Sequence, residues 1–126
     1  MHDVTSPQAF TTLAERSVGV LSPELTFGSP EHSVTILPGR TEESNDMSRT
    51  FVPLMRRNFA AHGLRLFDID SPDHGIVHVI GPELGLTLPG ATVVCGDSHT
   101  CTNAVSYTHL DVYKRQLLWR CRCATW

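Results

Sequence analysis

"TVVCGDSHT", residues 92–100, runs from β-branched apolar residues straight into a turn that carries an acid, a hydroxyl and an imidazole on consecutive positions. The apolar part, "ATVVC" (residues 91–95), lies between Gly90 and Gly96 and has the length and composition of a buried strand; "LRLF" (residues 64–67), between Gly63 and Asp68, is a second. A third, Leu25 to Phe27, is expected in "SPELTFGSPEHSV", where Pro and Gly punctuate both sides of a short apolar core. Helical patterns alternate with these runs. "TSPQAFTTLAER" offers Ser6 as N-cap and Pro7 for the first helical position, with Phe10, Leu13 and Ala14 on one face. "MSRTFVPLMRRNFAAHG" repeats apolar residues at Met47, Phe51, Leu54, Met55 and Phe59, with Gly63 placed past the helix end. Pro53 either kinks that helix or delays its start, since a proline inside a helix removes a hydrogen bond and crowds the preceding turn. "GIVHVIGPELG" is open: its β-branched residues favour a strand, while Asp73 is placed to cap a helix. Strands alternating with helices make the fold class α/β, with a mostly parallel sheet.

In an open α/β sheet, ligands bind beyond the carboxyl ends of strands, which is where Asp97, Ser98 and His99 fall. Three consecutive side chains cannot point one way from a strand, but from a turn they can converge. His32, after "LTFGSPE", and His78, within "GIVHVI", follow or interrupt apolar runs in the same manner. Imidazole exchanges protons near neutral pH, a carboxylate fixes its tautomer, and a serine hydroxyl can hold a substrate carboxylate. The same residue types also make an ordinary satisfied loop. No G-x-S-x-G elbow supports a hydrolase triad; His and Cys in "CGDSHTC" are able to bind zinc, though their spacing matches no common structural site, and no metal ligand is assigned. His2 reads as a terminal residue, Gln8 as a helix-surface side chain, His62 and His74 as surface or capping histidines, and Cys95 as a small buried apolar residue.

The chain of 126 residues is 40% hydrophobic and has no apolar run approaching a membrane span. "MHDVTSPQAF" lacks the basic, apolar, small-residue order of a secretory signal. A net charge of -3 gives no basic patch for nucleic acid. Cys95, Cys101, Cys121 and Cys123 form neither a disulfide framework nor paired C-x-x-C knuckles, which favours a reducing, cytoplasmic setting.

"HDVTSPQAF", "GIVHVIGPELGLTLPG" and "TVVCGDSHTCTN", in that order, resemble the aconitase family of hydro-lyases, and within it the 3-isopropylmalate dehydratase large subunits. The resemblance covers roughly residues 2–103 and corresponds to the N-terminal part of a much longer subunit. It implies a fragment of a three-layer α/β/α domain, with "GIVHVI" on a helix. It also implies reversible dehydration of a 2-hydroxy dicarboxylate, exchanging 2-isopropylmalate and 3-isopropylmalate in leucine biosynthesis. A four-iron four-sulfur cluster held by three cysteines would act on the leaving hydroxyl, and a small-subunit partner would contribute the proton-abstracting serine. By position, His32, His78, Asp97 and His99 resemble catalytic residues, and Gln8, Asp97, Ser98 and His99 resemble substrate contacts. Glu31 stands where the family usually has aspartate before the first histidine. The four cysteines match none of the family's cluster ligands. A homoaconitase-like enzyme is the alternative within the family, and a non-catalytic metal module using His99, Cys101, Cys121 and Cys123, or a chain without a biological role, the alternative outside it.

The last 22 residues differ in kind. Both Tyr, both Trp and the only Lys lie after Ala104, and residues 1–104 carry 12 acidic and 6 basic side chains against 1 and 4 in residues 105–126. "VSYTHLDVYKRQ" (residues 105–116) can be encoded by DNA equal to its own reverse complement, resembling two transposon mosaic ends joined head to head. The expectation is a partial aconitase-type domain over 1–104 followed by a non-native, disordered tail over 105–126, with the domain folding weakly and the chain inactive by itself.

Overall fold

The computed structural model describes residues 1–105. Helix α1 spans Ser6–Glu15. Its N-cap is Thr5, not Ser6, because the Ser6 hydroxyl turns inward and donates to the Asp3 carbonyl (3.4 Å) from within the first turn. Phe10 is buried and Leu13 packs on the core, but Ala14 faces solvent. The strand expected at Leu25 to Phe27 is displaced: Pro23, with its fixed φ, starts a tight 3₁₀ turn over Pro23–Leu25, and β1 is Phe27–Gly28.

Helix α2, Asp46–Ala61, runs unbroken through Pro53. The proline is exposed, so the carbonyl that loses its partner lies on the wet side of the helix. The buried stripe is Ser48, Val52, Met55 and Phe59, turned from the expected face, and Met47 is 48% exposed. Asn45 caps the helix by accepting from Ser48 N–H (2.9 Å). The C-terminus closes as expected on Gly63, whose φ of +63° is cheap only for glycine. Leu64 N–H donates to Phe59 O (2.9 Å) and Gly63 N–H to Ala60 O (3.3 Å), the paired bonds of a Schellman motif, with Leu64 and Phe59 sharing the core.

That turn delivers β2, Arg65–Leu66, parallel to β1 with Phe27 opposite Arg65 and Gly28 opposite Leu66. A parallel bridge from His2 to Ser29 extends the sheet on the other side of β1. Gly28 is where helix and sheet meet: a Cβ there would lie 2.5 Å from Phe59 Cζ and 2.6 Å from Met55 Cε. Phe10, Met55, Phe59 and Leu64 form the core, with the Phe10 and Phe59 rings edge to face at 5.7 Å. The architecture is thus helices on a small parallel sheet, an α/β arrangement.

Residues 91–95 overturn one expectation. They form no strand, and Val94 is 88% exposed. A strand exists only where a neighbour completes its ladder, and no described segment pairs with this one. "GIVHVI" is resolved as helix α3, Val77–Glu83, and a short α4, Thr102–Val105, follows the "GDSHT" turn. No helix among the described residues is long and apolar enough to cross a membrane.

Candidate functional site

The turn after residue 95 is built by its own side chains. Asp97 Oδ1 accepts from the His99 backbone N–H (2.9 Å), and the Thr100 hydroxyl donates to Asp97 O (2.7 Å) and reaches Cys95 O (3.2 Å). This Asx-type turn faces the Asp97 carboxylate inward, where its side chain is 4% exposed, and leaves Ser98 and His99 outside. His99 Nδ1 reaches Asp97 Oδ1 at 3.1 Å and Ser98 Oγ at 3.3 Å.

Two further imidazoles approach the other oxygen of Asp97. His78 Nε2, from buried α3, lies 3.5 Å from Oδ2, and His32 Nε2 lies 3.8 Å from it. His32 is held between carboxylates, since its Nδ1 is 3.3 Å from Glu31 Oε1. The second oxygen of Glu31 accepts from Val77 N–H (2.5 Å) and so caps α3, the helix that carries His78. Asp73, the expected cap, has no such role, and the N-cap residue Ile76 has no side-chain acceptor to offer.

The loop that presents His32 is gripped by Asp3, a fully buried carboxylate. Asp3 Oδ1 accepts from the N–H groups of Glu31 (3.1 Å) and His32 (3.0 Å), and Oδ2 accepts from Ser33 N–H (2.9 Å) and the Ser33 hydroxyl. His2 stacks on His32 with ring centroids 4.0 Å apart, its Nε2 reaching Thr5 Oγ1 (3.0 Å) and Gly96 O (3.4 Å). His74 secures the preceding residue: Nε2 donates to Pro30 O (2.8 Å) while Nδ1 accepts from Arg40 (3.0 Å). These three residues, read from sequence as terminal or surface groups or passed over, frame the site. The local signal for them is weak, because each acts on a loop some 30 to 90 residues away in the chain.

The electrostatics follow from this packing. Burial alone would raise the Asp97 carboxyl, but the His99 N–H and imidazole, with His32 and His2, outweigh it and hold the group at about 2. Burial lowers His78 despite Asp97, helped by the Met1 amine, His99 and His32, and burial with His32 lowers His2. Burial raises Glu31 against the opposing Val77 N–H. Asp97 thus carries a fixed negative charge among imidazoles, and burial disfavours the charged form of two of them, His2 and His78. A cavity of about 370 Å³, lined by Phe27, Val77, Thr87, Val93 and Cys95, opens beside His78.

The structure therefore gathers His32, His78, Asp97 and His99, with Ser98 at the rim. Gln8 is exposed on α1, where its carbonyl accepts from the Thr12 hydroxyl (3.0 Å). Donors converge within 4.8 Å in two described sets, Glu31 with His32 and Asp97, and His2 with Asp3 and His32. Neither contains sulfur, and the rings of His2 and His32 stack rather than point at a common centre. An iron–sulfur cluster needs thiolates; Cys95 is half-buried, Cys101 is exposed, and neither joins a converging set among the described residues, so these donors do not fit such a cluster. Cys121, Cys123 and the tail expected from residue 105 onward lie outside the described residues, apart from the backbone of Val105 in α4.

Comparison with known proteins meets this arrangement from another side. No solved structure matches the chain at a significant level. The large subunit 1 of 3-isopropylmalate dehydratase from Bradyrhizobium diazoefficiens is 47% identical over 103 residues, covering 82% of this chain and 21% of the relative's length. The chain thus spans about a fifth of that curated relative. The profile of the aconitase family (aconitate hydratase) matches residues 1–108, which takes in every side chain of the Asp97 site and runs slightly beyond residue 104. With the family's profile laid over the whole described fold, this chain belongs to the aconitase family.

Proposed function

We propose that the chain is the part of a 3-isopropylmalate dehydratase-type hydro-lyase that receives the leaving hydroxyl of a 2-hydroxy dicarboxylate. The observation that carries the proposal is three imidazoles converging on the single Asp97 carboxylate: His99 at 3.1 Å, His78 at 3.5 Å and His32 at 3.8 Å. Dehydration breaks a C–O bond, and hydroxide leaves far more easily as water. His32, half in solvent and set between Glu31 and Asp97, is the group that delivers the proton to that oxygen. Asp97 holds the three rings in register, Ser98 and His99 at the rim hold a substrate carboxylate and hydroxyl, and Gln8, exposed on α1, adds a further substrate contact.

The electron pair that forms the double bond comes from an adjacent C–H bond, and the base that takes this proton belongs to a small-subunit partner. The four-iron four-sulfur cluster implied by the family does not fit the described donors, and the chemistry assigned to this chain is that of its own side chains. The setting is cytoplasmic and the pathway is leucine biosynthesis.

The test is a chimera in which residues 1–104 replace the corresponding segment of the Bradyrhizobium large subunit, combined with its small subunit. Alkene absorbance developing from 2-isopropylmalate, in preference to homocitrate or citrate, supports the reading. A folded, cluster-bearing chimera inert on all three overturns it.

A further inference from the structure

We propose that Asn103 is a positioning residue that locks His78 in its Nε2–H tautomer, aiming that N–H at the Asp97 carboxylate. The Asn103 amide nitrogen donates to Thr100 O at 3.1 Å and lies 3.0 Å from His78 Nδ1. A carbonyl oxygen only accepts, so the amide nitrogen, and not its oxygen, must occupy that corner. Turning the amide over would set Asn103 Oδ1 against the Thr100 carbonyl, two acceptors face to face. One amide hydrogen therefore serves Thr100 and the other serves His78.

A ring nitrogen that accepts carries a lone pair, which leaves the proton of the neutral imidazole on Nε2. That nitrogen lies 3.5 Å from Asp97 Oδ2, close enough to pair by charge but without a formed hydrogen bond, and no described group hydrogen-bonds to it. Asn103 is 5% exposed and His78 7%, so water does not compete for either ring nitrogen. An imidazolium would need a second proton on Nδ1, pointed at the amide N–H of Asn103. The lock thus opposes protonation of His78, in the same direction as its burial among the Met1 amine, His99 and His32, while Asp97 acts the other way. His78 becomes a fixed neutral imidazole whose one proton is turned towards Asp97 Oδ2, and the proton-delivering role falls to His32. This assignment rests on the hydro-lyase reading for its catalytic meaning; the tautomer itself does not.

The experiment is long-range ¹H–¹⁵N correlation on the full chain labelled with ¹⁵N-histidine, with His78→Gln assigning the resonances. The expected result is one neutral tautomer for His78, with Nδ1 at the position of an unprotonated nitrogen and Nε2 at that of a protonated one. Asn103→Asp replaces the donor with an acceptor, so the Nδ1 resonance moves to the protonated position and His78 titrates about 1 to 3 units higher. A His78 that is Nδ1–H, or mixed between tautomers, in the unaltered chain overturns the proposal, as does an Nδ1 resonance unmoved in Asn103→Asp. Should Asn103→Asp unfold, the unaltered chain alone decides. An inert chimera alongside a pure Nε2–H spectrum removes the hydro-lyase reading and leaves the lock standing.

Discussion

Replacing Asp3 with asparagine keeps the shape of the side chain and removes its charge and half of its accepting capacity. In the native structure the carboxylate takes three backbone N–H bonds, from Glu31, His32 and Ser33, at 3.1, 3.0 and 2.9 Å, and a fourth from the Ser33 hydroxyl. An asparagine side chain offers one oxygen, so at least one of the two oxygen positions becomes a donor facing donors. A hydrogen bond to a charged group is worth about 1.5–3 kcal/mol, and a buried N–H left without an acceptor adds to that loss. At about 1.4 kcal/mol per tenfold change, local opening of the 31–33 loop becomes roughly 10- to 150-fold more frequent. Amide hydrogen exchange reads this directly, because those three N–H groups exchange only when the loop leaves Asp3. Asp3→Asn is expected to accelerate exchange at Glu31, His32 and Ser33 by that factor, with amides of the α2 core changed much less. Equal exchange at the three positions in both proteins would refute the claim that Asp3 holds the loop that presents His32.

Other perturbations separate the remaining contacts. Gly28→Ala forces a Cβ to within 2.5 Å of Phe59 Cζ and should destabilise by about 1–3 kcal/mol in urea, whereas Gly19→Ala, with nothing within 4 Å, should not. Glu31→Ala removes the acceptor at Val77 N–H and should reduce protection in the first turn of α3 by about 1 kcal/mol, which Glu31→Gln largely restores. Acid titration should be biphasic. His2 and His78 are lowered from 6.5, so the unfolded chain binds protons first and stability falls as pH drops below 6.5. Asp97 stabilises fully above its ordinary 3.8 and loses this as pH falls towards 2, while the raised Glu31 pulls the opposite way just above 4.5. Unfolding followed against pH checks this, and His78→Gln should remove part of the upper phase.

The regular elements were legible where the pattern is local. Helical periodicity located α1 and α2, Gly63 marked the end of α2, and "LRLF" contained β2. The failures have one physical origin. Apolar content says that a segment can be buried, not that a partner exists, so residues 91–95 read as a strand and are none. The buried face of α2 is set by the sheet at Gly28, which its own periodicity does not contain. The cap of α3 comes from Glu31, 46 residues away, while Asp73, the local candidate, does not cap it. The site was legible as residue types at Asp97, Ser98 and His99, since a short turn fixes neighbours in sequence as neighbours in space. His2, Asp3, His74 and Asn103 were not, because each is defined by a contact across the fold.

The central claim is that Asp97 organises the imidazoles that act on the leaving hydroxyl. Its most direct measurement is kcat of the chimera carrying Asp97→Asn, with folding and cluster content matched to the parent. The expected result is a fall of roughly 100-fold or more, the usual cost of losing a preorganised charge at a reacting centre. An unchanged kcat, in a folded and loaded enzyme, would contradict it.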